Sequence, residues 1–168
     1  MFLSGMSSDE KNTIDVVIET PRGCRNKYAY DEDLKAFKLK KILPAGAVFP
    51  FDFGFIPDTK GGDGDPLDVL VIMDEPAYPG CIVECRVIGA LKAKQSEKKG
   101  MARNDRLIAV SVESHMYKEL RDIKDLNKNI LDEIEHFFTS YNEQAGKIFE
   151  TEGWINPFDA QKLIHDAG

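Results

Sequence analysis

Residues 61–72 of the chain read GGDGDPLDVLVI, so that Asp63, Asp65 and Asp68 stand at the entrance of an aliphatic run. Glycine and proline favour a tight turn, and the acidic side chains therefore cannot spread apart along a helix. Their mutual repulsion has to be offset by positive charge. Clustered carboxylate oxygens are the ligands that hard divalent cations prefer, above all Mg2+. The stretch predicts a metal-binding turn, and a solvated turn between two strands is the simpler alternative.

An EF-hand is a second alternative for this stretch. Its loop carries acidic residues at positions 1, 3 and 5, a glycine at 6 and a glutamate at 12. Here the acidic residues fall at positions 1, 3 and 6, and residues 69–72 have the pattern of a strand. The spacing therefore excludes an EF-hand.

The overall composition predicts a single-domain protein. The chain has 168 residues and a formal net charge of −7. That length fits one domain over residues 1–168 with a real core. The negative charge argues against nucleic acid as a partner, because non-specific binding depends on lysine and arginine. Residues 92–99 have four lysines and no aromatic residue, and we expect a solvated hairpin loop there.

The sequence shows no sign of a membrane or an export signal. No stretch approaches the roughly 18 consecutive apolar residues of a membrane span, and residues 1–6 lack the features of a signal peptide. The cysteines Cys24, Cys81 and Cys85 are odd in number. Cys81 and Cys85 would lie roughly 13 Å apart on one strand, too far to bridge. We therefore expect free thiols, a cytoplasmic location and no membrane partner.

The predicted elements are strands first and helices last. Apolar runs separated by Gly, Pro, Asp and Lys clusters predict strands. These runs are residues 16–19, 28–30, 37–39, 68–73, 81–91 and 107–112. An order without alternation of strand and helix predicts an α+β fold.

Two helices are predicted near the C-terminus. Apolar residues at i, i+4, i+7, i+8 and i+11, from Ile130 to Tyr141, form one face of the first. The second has Asn156 as its N-cap, Pro157 at its first position and Asp159 in its first turn.

The motif DGDPLDV at residues 63–69 resembles the signature of the soluble family I inorganic pyrophosphatases. Other segments match this family in order and spacing. They are VIETP at residues 17–21, FPFDFGFIP at 49–57, CRVIG at 85–89, HFF at 136–138 and EGW at 152–154. The resemblance runs from about residue 14 to the C-terminus. It implies a small OB-type β-barrel with C-terminal helices.

The resemblance also implies an activity, the hydrolysis of inorganic pyrophosphate to two phosphates by a metal-activated water. By resemblance, Asp63 and Asp68 are metal ligands, and Glu19 holds further metal through water. Asp65 matches the carboxylate that orients or deprotonates the attacking water. The implied cofactor is Mg2+, with Mn2+ or Zn2+ as alternatives.

The resemblance supplies a cationic set for the phosphates as well. Lys27, Lys41 and Arg106 match phosphate-binding cations, and Tyr141 matches a phosphate-binding phenol. Taken singly, the charged residues would be surface groups, and Tyr141 would belong to the core. Short members of the family commonly form hexamers, so the resemblance implies a homo-oligomer.

Several positions depart from the family pattern. Lys41 replaces the usual arginine, which keeps the charge but loses bidentate geometry. Phe49 and Phe53 replace two tyrosines, Ala29 replaces a glutamate, and Asn142 replaces a lysine.

The second acidic cluster of the family is altered too. If Leu107 anchors the alignment, Asn104 occupies the position of an aspartate that binds metal directly. An amide oxygen can coordinate a cation but adds no charge. Asp105 could substitute only through a one-residue register shift, which would turn it to the other face of the strand.

These departures leave three functional hypotheses. The first is a working inorganic pyrophosphatase, favoured by the intact Asp63, Asp65 and Asp68. The second is a hydrolase of a substituted diphosphate or polyphosphate ester, for which Phe49 and Phe53 would make the pocket less polar. The third is a catalytically lapsed protein that binds metal and phosphate. The sequence leaves open the roles of three further acidic residues near the signature, Asp52, Asp74 and Glu75.

Overall fold

A computed structural model describes residues 12–168 of the chain. Its strands are β1 (Thr13–Thr20), β2 (Asn26–Asp31), β3 (Ala36–Ile42), β4 (Asp52–Phe55), β5 (Asp68–Ile72), β6 (Ile82–Glu97), β7 (Gly100–Arg103), β8 (Arg106–Ser111) and β9 (Phe149–Ile155). Its helices are α1 (Lys128–Gln144), α2 (Pro157–Ala167) and a 3-10 turn at Ile123–Asp125. None of the helices in this part of the chain is long and apolar enough to cross a bilayer. The expectation for residues 1–6 lies outside the described residues.

Five of the described strands close into a ring. Neighbours pair in the order β1, β4, β5, β8, β6 and back to β1. Strands β5 and β8 are parallel, and the other pairs are antiparallel. A closed ring has no open edge, which is how small antiparallel sheets avoid unwanted pairing. The ring and the two C-terminal helices confirm the predicted α+β fold with an OB-type barrel.

Strand β6 is the longest of the described strands, with 16 residues, and both of its edges are covered. One edge pairs first with β1 and then with β9. The other edge pairs first with β8 and then with β7. This single strand therefore joins the barrel to the C-terminal part of the chain.

Strand β5 divides its side chains between two hydrophobic cores, as alternation along a strand requires. Leu70 and Ile72 join the core that packs under α1. Val69 and Val71 join the core that includes Ala160 of α2. All four side chains are fully buried, which explains the unbroken aliphatic run in the sequence.

A separate two-stranded sheet, β2 with β3, lies beside the barrel. Its anchor is Thr20 at the end of β1. The Thr20 hydroxyl accepts the amide of Tyr28 at 3.0 Å and donates to the Tyr28 carbonyl at 3.1 Å. The hairpin is thereby held next to the acidic turn, where it forms a wall of the site described below.

The predicted strands and both helices are confirmed, including the Asn156 cap and Pro157 at the start of α2. Strands β4, β7 and β9 were not predicted. The hairpin loop expected at residues 92–99 is wrong for most of its length, because β6 continues to Glu97. Ala93 and Gln95 are buried while Lys94 is exposed, so the lysines of this strand occupy its outer face.

Candidate active site

A cleft of about 790 Å³ opens between the barrel, the β2–β3 hairpin and α1. All eight residues to which the sequence assigned a role line it. They are Glu19, Lys27, Lys41, Asp63, Asp65, Asp68, Arg106 and Tyr141. Residues from β1, β2, β3, the acidic turn, β8 and α1 thus meet at one place.

The acidic turn is held closed by its own backbone. The amide of Gly61 donates to the Asp65 carbonyl at 2.7 Å, and the amide of Gly64 donates to the Gly61 carbonyl at 3.1 Å. Gly64 has φ +88°, a conformation that glycine adopts without strain. The Asp63 carboxylate accepts the Asp65 amide at 3.1 Å. The turn therefore presents Asp63 and Asp65 to the cleft from a fixed backbone.

Asp68 forms an ion pair with Arg106. The two residues are paired in register across the parallel strands β5 and β8. Arg106 Nη1 lies 2.5 Å from Asp68 Oδ2, and the same nitrogen also donates to Asn104 Oδ1. Burial raises the pKa of Asp68, and the nearby cations Arg106 and Lys27 oppose that shift.

Aromatic rings surround the Arg106 guanidinium. Its central carbon lies 4.9 Å from the ring centre of Phe138, 5.5 Å from that of Phe149 and 6.0 Å from that of Phe53. Arg106 is only 4% exposed. A guanidinium over aromatic faces is attracted to them, so this cation is held at the inner end of the cleft.

Glu19 lies on the β1 side of the cleft and supports the hairpin. Its Oε2 accepts the backbone amide of Tyr30 at 2.8 Å. Burial raises the pKa of Glu19 to about 7, and burial likewise raises the pKa of Asp63. These carboxylates are half-buried, and the positive charge around them is too small to offset the loss of hydration.

The opposite wall is cationic. Lys27 and Lys41 are paired across β2 and β3, and both amines lie over the ring of Tyr141. The distances from nitrogen to ring centre are 5.1 Å for Lys27 and 4.0 Å for Lys41. Burial lowers the pKa of Lys27 and raises that of Tyr141. A carboxylate wall that faces a set of amines and a guanidinium suits a polyanion accompanied by cations.

Comparison with known proteins decides between the families that such a site allows. Residues 16–168 match the family model described as inorganic pyrophosphatase. The chain belongs to the inorganic pyrophosphatase family. An inorganic pyrophosphatase from Synechocystis is 41% identical over 155 residues, which cover 92% of this chain and 89% of that protein.

Solved structures from the inorganic pyrophosphatase family agree in fold. The crystal structure of the Thermus thermophilus inorganic pyrophosphatase superposes with a TM-score of 0.85 at 36% identity, covering 99% of this chain and 94% of that one. The Helicobacter pylori inorganic pyrophosphatase superposes with a TM-score of 0.86 at 31% identity, covering 95% and 94%. The predicted family and fold are therefore confirmed.

The cleft lining includes four positions that depart from the family pattern, namely Ala29, Phe49, Phe53 and Asn142. Phe49 and Phe53 are only 1% and 6% exposed and pack against each other with their ring centres 5.5 Å apart, so they join the core while also lining the cleft. Asn142 is buried, and its amide donates to the Phe138 carbonyl one helical turn earlier at 2.7 Å. Ala29 contributes no functional group to the cleft.

The structure separates Asn104 from Asp105. Asn104 lines the cleft, and its amide donates to Gln95 at 2.7 Å. Asp105 is not part of the lining, because its carboxylate accepts the Ala93 amide and pairs with Arg103. The register shift that would bring Asp105 into the cleft does not occur.

The lining residues that were not predicted include Lys40, Gln95 and Lys147. Lys147 follows the end of α1, and its charge contributes to the lowered pKa of Lys27. Nothing in the sequence marks a single lysine after a helix as a site residue. Lys40 and Gln95 lie on strands, and the side of each strand that faces the cleft depends on how the strands pair.

Asp52 and Asp74 have structural roles outside the cleft. Asp52 is 1% exposed and accepts the amides of Arg22 at 2.6 Å and Ala77 at 2.8 Å. Asp74 accepts the Ser114 hydroxyl at 2.5 Å and the His115 amide at 3.0 Å. Each carboxylate joins two loops that are distant in sequence. Glu75 is exposed.

The donor set of the cleft fits a divalent cation in its chemistry, since it offers the carboxylates of Glu19, Asp63, Asp65 and Asp68. Within residues 12–168, however, no three acidic, histidine or cysteine side chains converge on one point. Contacts already described explain this. Asp68 is engaged by Arg106, and Glu19 is engaged by the Tyr30 amide. A cation at this wall competes with those contacts.

Proposed function

We propose that this chain hydrolyses inorganic pyrophosphate to two phosphate ions, with a divalent cation, Mg2+, as cofactor. The observation that carries the proposal is the single cleft in which the acidic turn faces Lys27, Lys41 and Arg106. Family membership over residues 16–168 supports the same activity.

The proposed metal ligands are Asp63, Asp68 and Glu19. A bound divalent cation withdraws charge from the phosphate oxygens and lowers the pKa of water. Asp63 and Asp65 are presented from a closed turn, so both carboxylates can act without a change of the backbone. Mn2+ or Zn2+ would satisfy the same oxygen-rich set less selectively.

Asp65 is the proposed proton acceptor. It is exposed in the cleft and makes no ion pair with the rest of residues 12–168. Such a carboxylate is free to orient a water molecule and to take its proton as the oxygen attacks phosphorus. The bond from that phosphorus to the bridging oxygen then breaks, and the second phosphate leaves.

The cationic wall is proposed to bind the two phosphate groups. Lys27, Lys41 and Arg106 would neutralise charge on the attacked and the leaving phosphate, which is the main requirement of phosphoryl transfer. Tyr141 would donate a hydrogen bond from its hydroxyl to a phosphate oxygen, and its ring would hold the two lysine amines.

The ester hypothesis is not favoured, because residues 16–168 match the inorganic pyrophosphatase family and because Phe49 and Phe53, although they line the cleft, are only 1% and 6% exposed. We further propose one domain over residues 1–168, a cytoplasmic location and a homo-oligomer, with a hexamer as the family analogy. Exposed apolar side chains such as Tyr78 (85%) and Ile82 (63%) support self-association.

Phosphate release from pyrophosphate in the presence of MgCl2 tests the proposal. Wild type should release phosphate from pyrophosphate faster than from a panel of nucleotide diphosphates, and only with the metal. Asp65→Asn should lower kcat by about two orders of magnitude or more. Asp132→Asn, an exposed position on α1 outside the cleft, is the matched control and should keep wild-type activity.

Three other outcomes of this assay would contradict the proposal or part of it. Turnover of an ester without turnover of pyrophosphate would overturn the proposal in favour of the ester hydrolase. No turnover of any substrate, with Mn2+ still bound, would indicate a lapsed enzyme. Equal activity of wild type and Asp65→Asn would remove Asp65 from the mechanism.

A further inference from the structure

Arg106 makes the one ion pair between a cleft cation and a cleft carboxylate in residues 12–168. The Lys27 and Lys41 amines lie over the Tyr141 ring instead, and the structure gives Lys40 and Lys147 no ion pair. Arg106 Nη1 stands 2.5 Å from Asp68 Oδ2 and also contacts Asn104 Oδ1. The guanidinium thus contacts two oxygen atoms that a divalent cation would use as ligands.

We propose that Arg106 is a built-in competitor of divalent cations for Asp68. Before substrate binds, the guanidinium neutralises Asp68 and keeps that carboxylate from metal. When a phosphate group draws Arg106 away, Asp68 becomes available as a ligand. This inference rests on the proposed function, because it assigns Asp68 a metal-binding state and Arg106 a phosphate-binding state.

The backbone makes this competition unavoidable. Asp68 and Arg106 are register partners at the first positions of the hydrogen-bonded parallel strands β5 and β8 of the closed barrel. Neither Cα can move without disturbing the ladder. The two side chains are 23% and 5% exposed, so water screens their attraction only weakly.

Arg106 nevertheless binds Asp68 through only some of its nitrogen atoms, so the ion pair can be replaced by other contacts. Arg106 contacts both oxygens through Nη1 alone, so the pair lacks the two parallel hydrogen bonds of a bidentate arrangement. Its Nε is buried without a hydrogen-bond partner in the described residues. Nη2 makes no hydrogen bond to residues 12–168 either, while Arg106 lines the cleft. A phosphate oxygen would gain donors that the resting contact leaves unused.

Asn104 is the second residue that contributes to this competition. A neutral amide accepts one hydrogen bond from Arg106 without holding it by charge. The charge of the guanidinium is therefore neutralised by one carboxylate. A doubly charged cation would compete with Arg106 for Asp68, and a phosphate would compete with Asp68 for Arg106. The aromatic rings within 4.9 to 6.0 Å keep Arg106 near the site in either state.

Binding of Mn2+ in the absence of phosphate tests the proposal, measured by electron paramagnetic resonance of the free ion. Arg106→Met removes the competitor and should tighten the affected Mn2+ site by about tenfold or more. Lys27→Met is the matched control. Lys27 also acts on Asp68 electrostatically but does not contact it, so its removal should tighten Mn2+ binding by only about threefold. An Arg106→Met protein that binds Mn2+ no more tightly than Lys27→Met overturns the proposal.

A second measurement needs no variant and so is unaffected if Arg106→Met misfolds. The Nε–H of Arg106 is buried, which slows its exchange and suits nuclear magnetic resonance. Saturation of wild type with Mg2+ alone should shift this resonance, because the metal displaces Arg106 from Asp68. A resonance that stays fixed while the amides of Gly64 and Asp65 shift would overturn the competition.

Neither experiment measures hydrolysis, so the two proposals fail separately. Wild type that releases no phosphate from pyrophosphate would overturn the proposed function and leave the Mn2+ comparison interpretable. An active enzyme whose Mn2+ affinity is insensitive to Arg106 would overturn the competition alone.

Discussion

The carboxylate of Asp105 accepts the backbone amide of Ala93 at 2.9 Å, across the pair of strands that flank the cleft. The same carboxylate pairs with Arg103, whose Nη2 reaches Glu152 on β9 at 2.8 Å. These contacts fix the connection between β7 and β8. Asn104 faces the cleft as a result, and Asp105 does not.

Asn104→Asp should raise the affinity for Mn2+ by about fivefold to tenfold. The new carboxylate would lie beside Asp68, and the two would share the single guanidinium of Arg106, which leaves net negative charge for a cation. Calorimetric titration with Mn2+ measures the change. Asp105→Asn is the matched control, with unchanged Mn2+ affinity and a loss of about 1–3 kcal/mol in the free energy of unfolding. An effect on Mn2+ from position 105 and none from position 104 would reverse the assignment.

Gly62→Ala should weaken both metal binding and turnover. A Cβ at this position would lie 2.8 Å from Cβ of Arg103 and 3.2 Å from its carbonyl oxygen, so the acidic turn or β7 must move. Displacement of catalytic groups by a fraction of an ångström to 1 Å lowers rates by about tenfold to a hundredfold. Steady-state kinetics over a range of MgCl2 concentrations detects it.

The control for that substitution is its neighbour. A Cβ on Gly61 would meet Asp63 Oδ1 and Leu67 Cδ2 at 3.3 Å and the Asp65 carbonyl oxygen at 3.4 Å, all longer than the 2.8 Å contact that a Cβ on Gly62 would make. Gly61→Ala should therefore have the smaller effect. Equal losses from the two variants would show that the contact with Arg103 does not position the turn.

Substitutions of Tyr141 should separate its hydroxyl from its ring. Tyr141→Phe would remove the proposed hydrogen bond to phosphate and should raise KM about threefold to tenfold. Tyr141→Leu also removes the face on which Lys27 and Lys41 lie, so KM should rise about fivefold further. Phe137→Leu, which alters a ring stacked on Tyr141 but without a lysine over it, should lower stability and leave KM unchanged. Identical KM values for Tyr141→Phe and Tyr141→Leu would contradict the role of the ring.

Cys85 should make stability fall at alkaline pH. Burial raises the pKa of the fully buried Cys85 thiol from 9.0 to about 12. The folded chain then keeps a proton that the unfolded chain loses, so this stabilisation is complete below pH 9 and is lost as pH rises toward 12. Between pH 8 and pH 10, wild type should lose about 1 kcal/mol more unfolding free energy than Cys85→Ala, measured by urea denaturation. Parallel pH profiles for the two proteins would exclude a buried thiol.

Much of the fold could be predicted because the local pattern and the tertiary environment agree. The aliphatic run of β5, the apolar face of α1 and the cap of α2 each have their own sequence signal. Strand β4 has none, because it is four residues long and contains Gly54. A Cβ on Gly54 would lie 2.1 Å from the Val17 carbonyl, so the close approach of β1 selects the glycine. Strand β9 has no sequence signal either. Its composition is mixed, and its pairing with β6 is what makes it a strand.

The site was predictable as far as a resemblance could carry it. The acidic turn and the three cations Lys27, Lys41 and Arg106 were predicted from the resemblance, and the structure brings them into one cleft. The contact of Arg106 with Asp68 could not be predicted, because it depends on the parallel register of β5 and β8. The opposite facings of Asn104 and Asp105 depend on the Ala93 contact in the same way.

The late pairing of β6 with β9 leaves one edge of β6 exposed to other chains while the protein is being synthesised. Residues 90–95 of β6 leave the ribosome more than fifty residues before their partner β9 does, so this edge stays unpaired through the translation of α1. An unpaired strand edge is a template for pairing with another chain. Lys94, exposed on that edge, places a charge where such pairing would begin. Truncation before Phe149 would make the exposure permanent, so the last twenty residues protect the nascent barrel from its own copies.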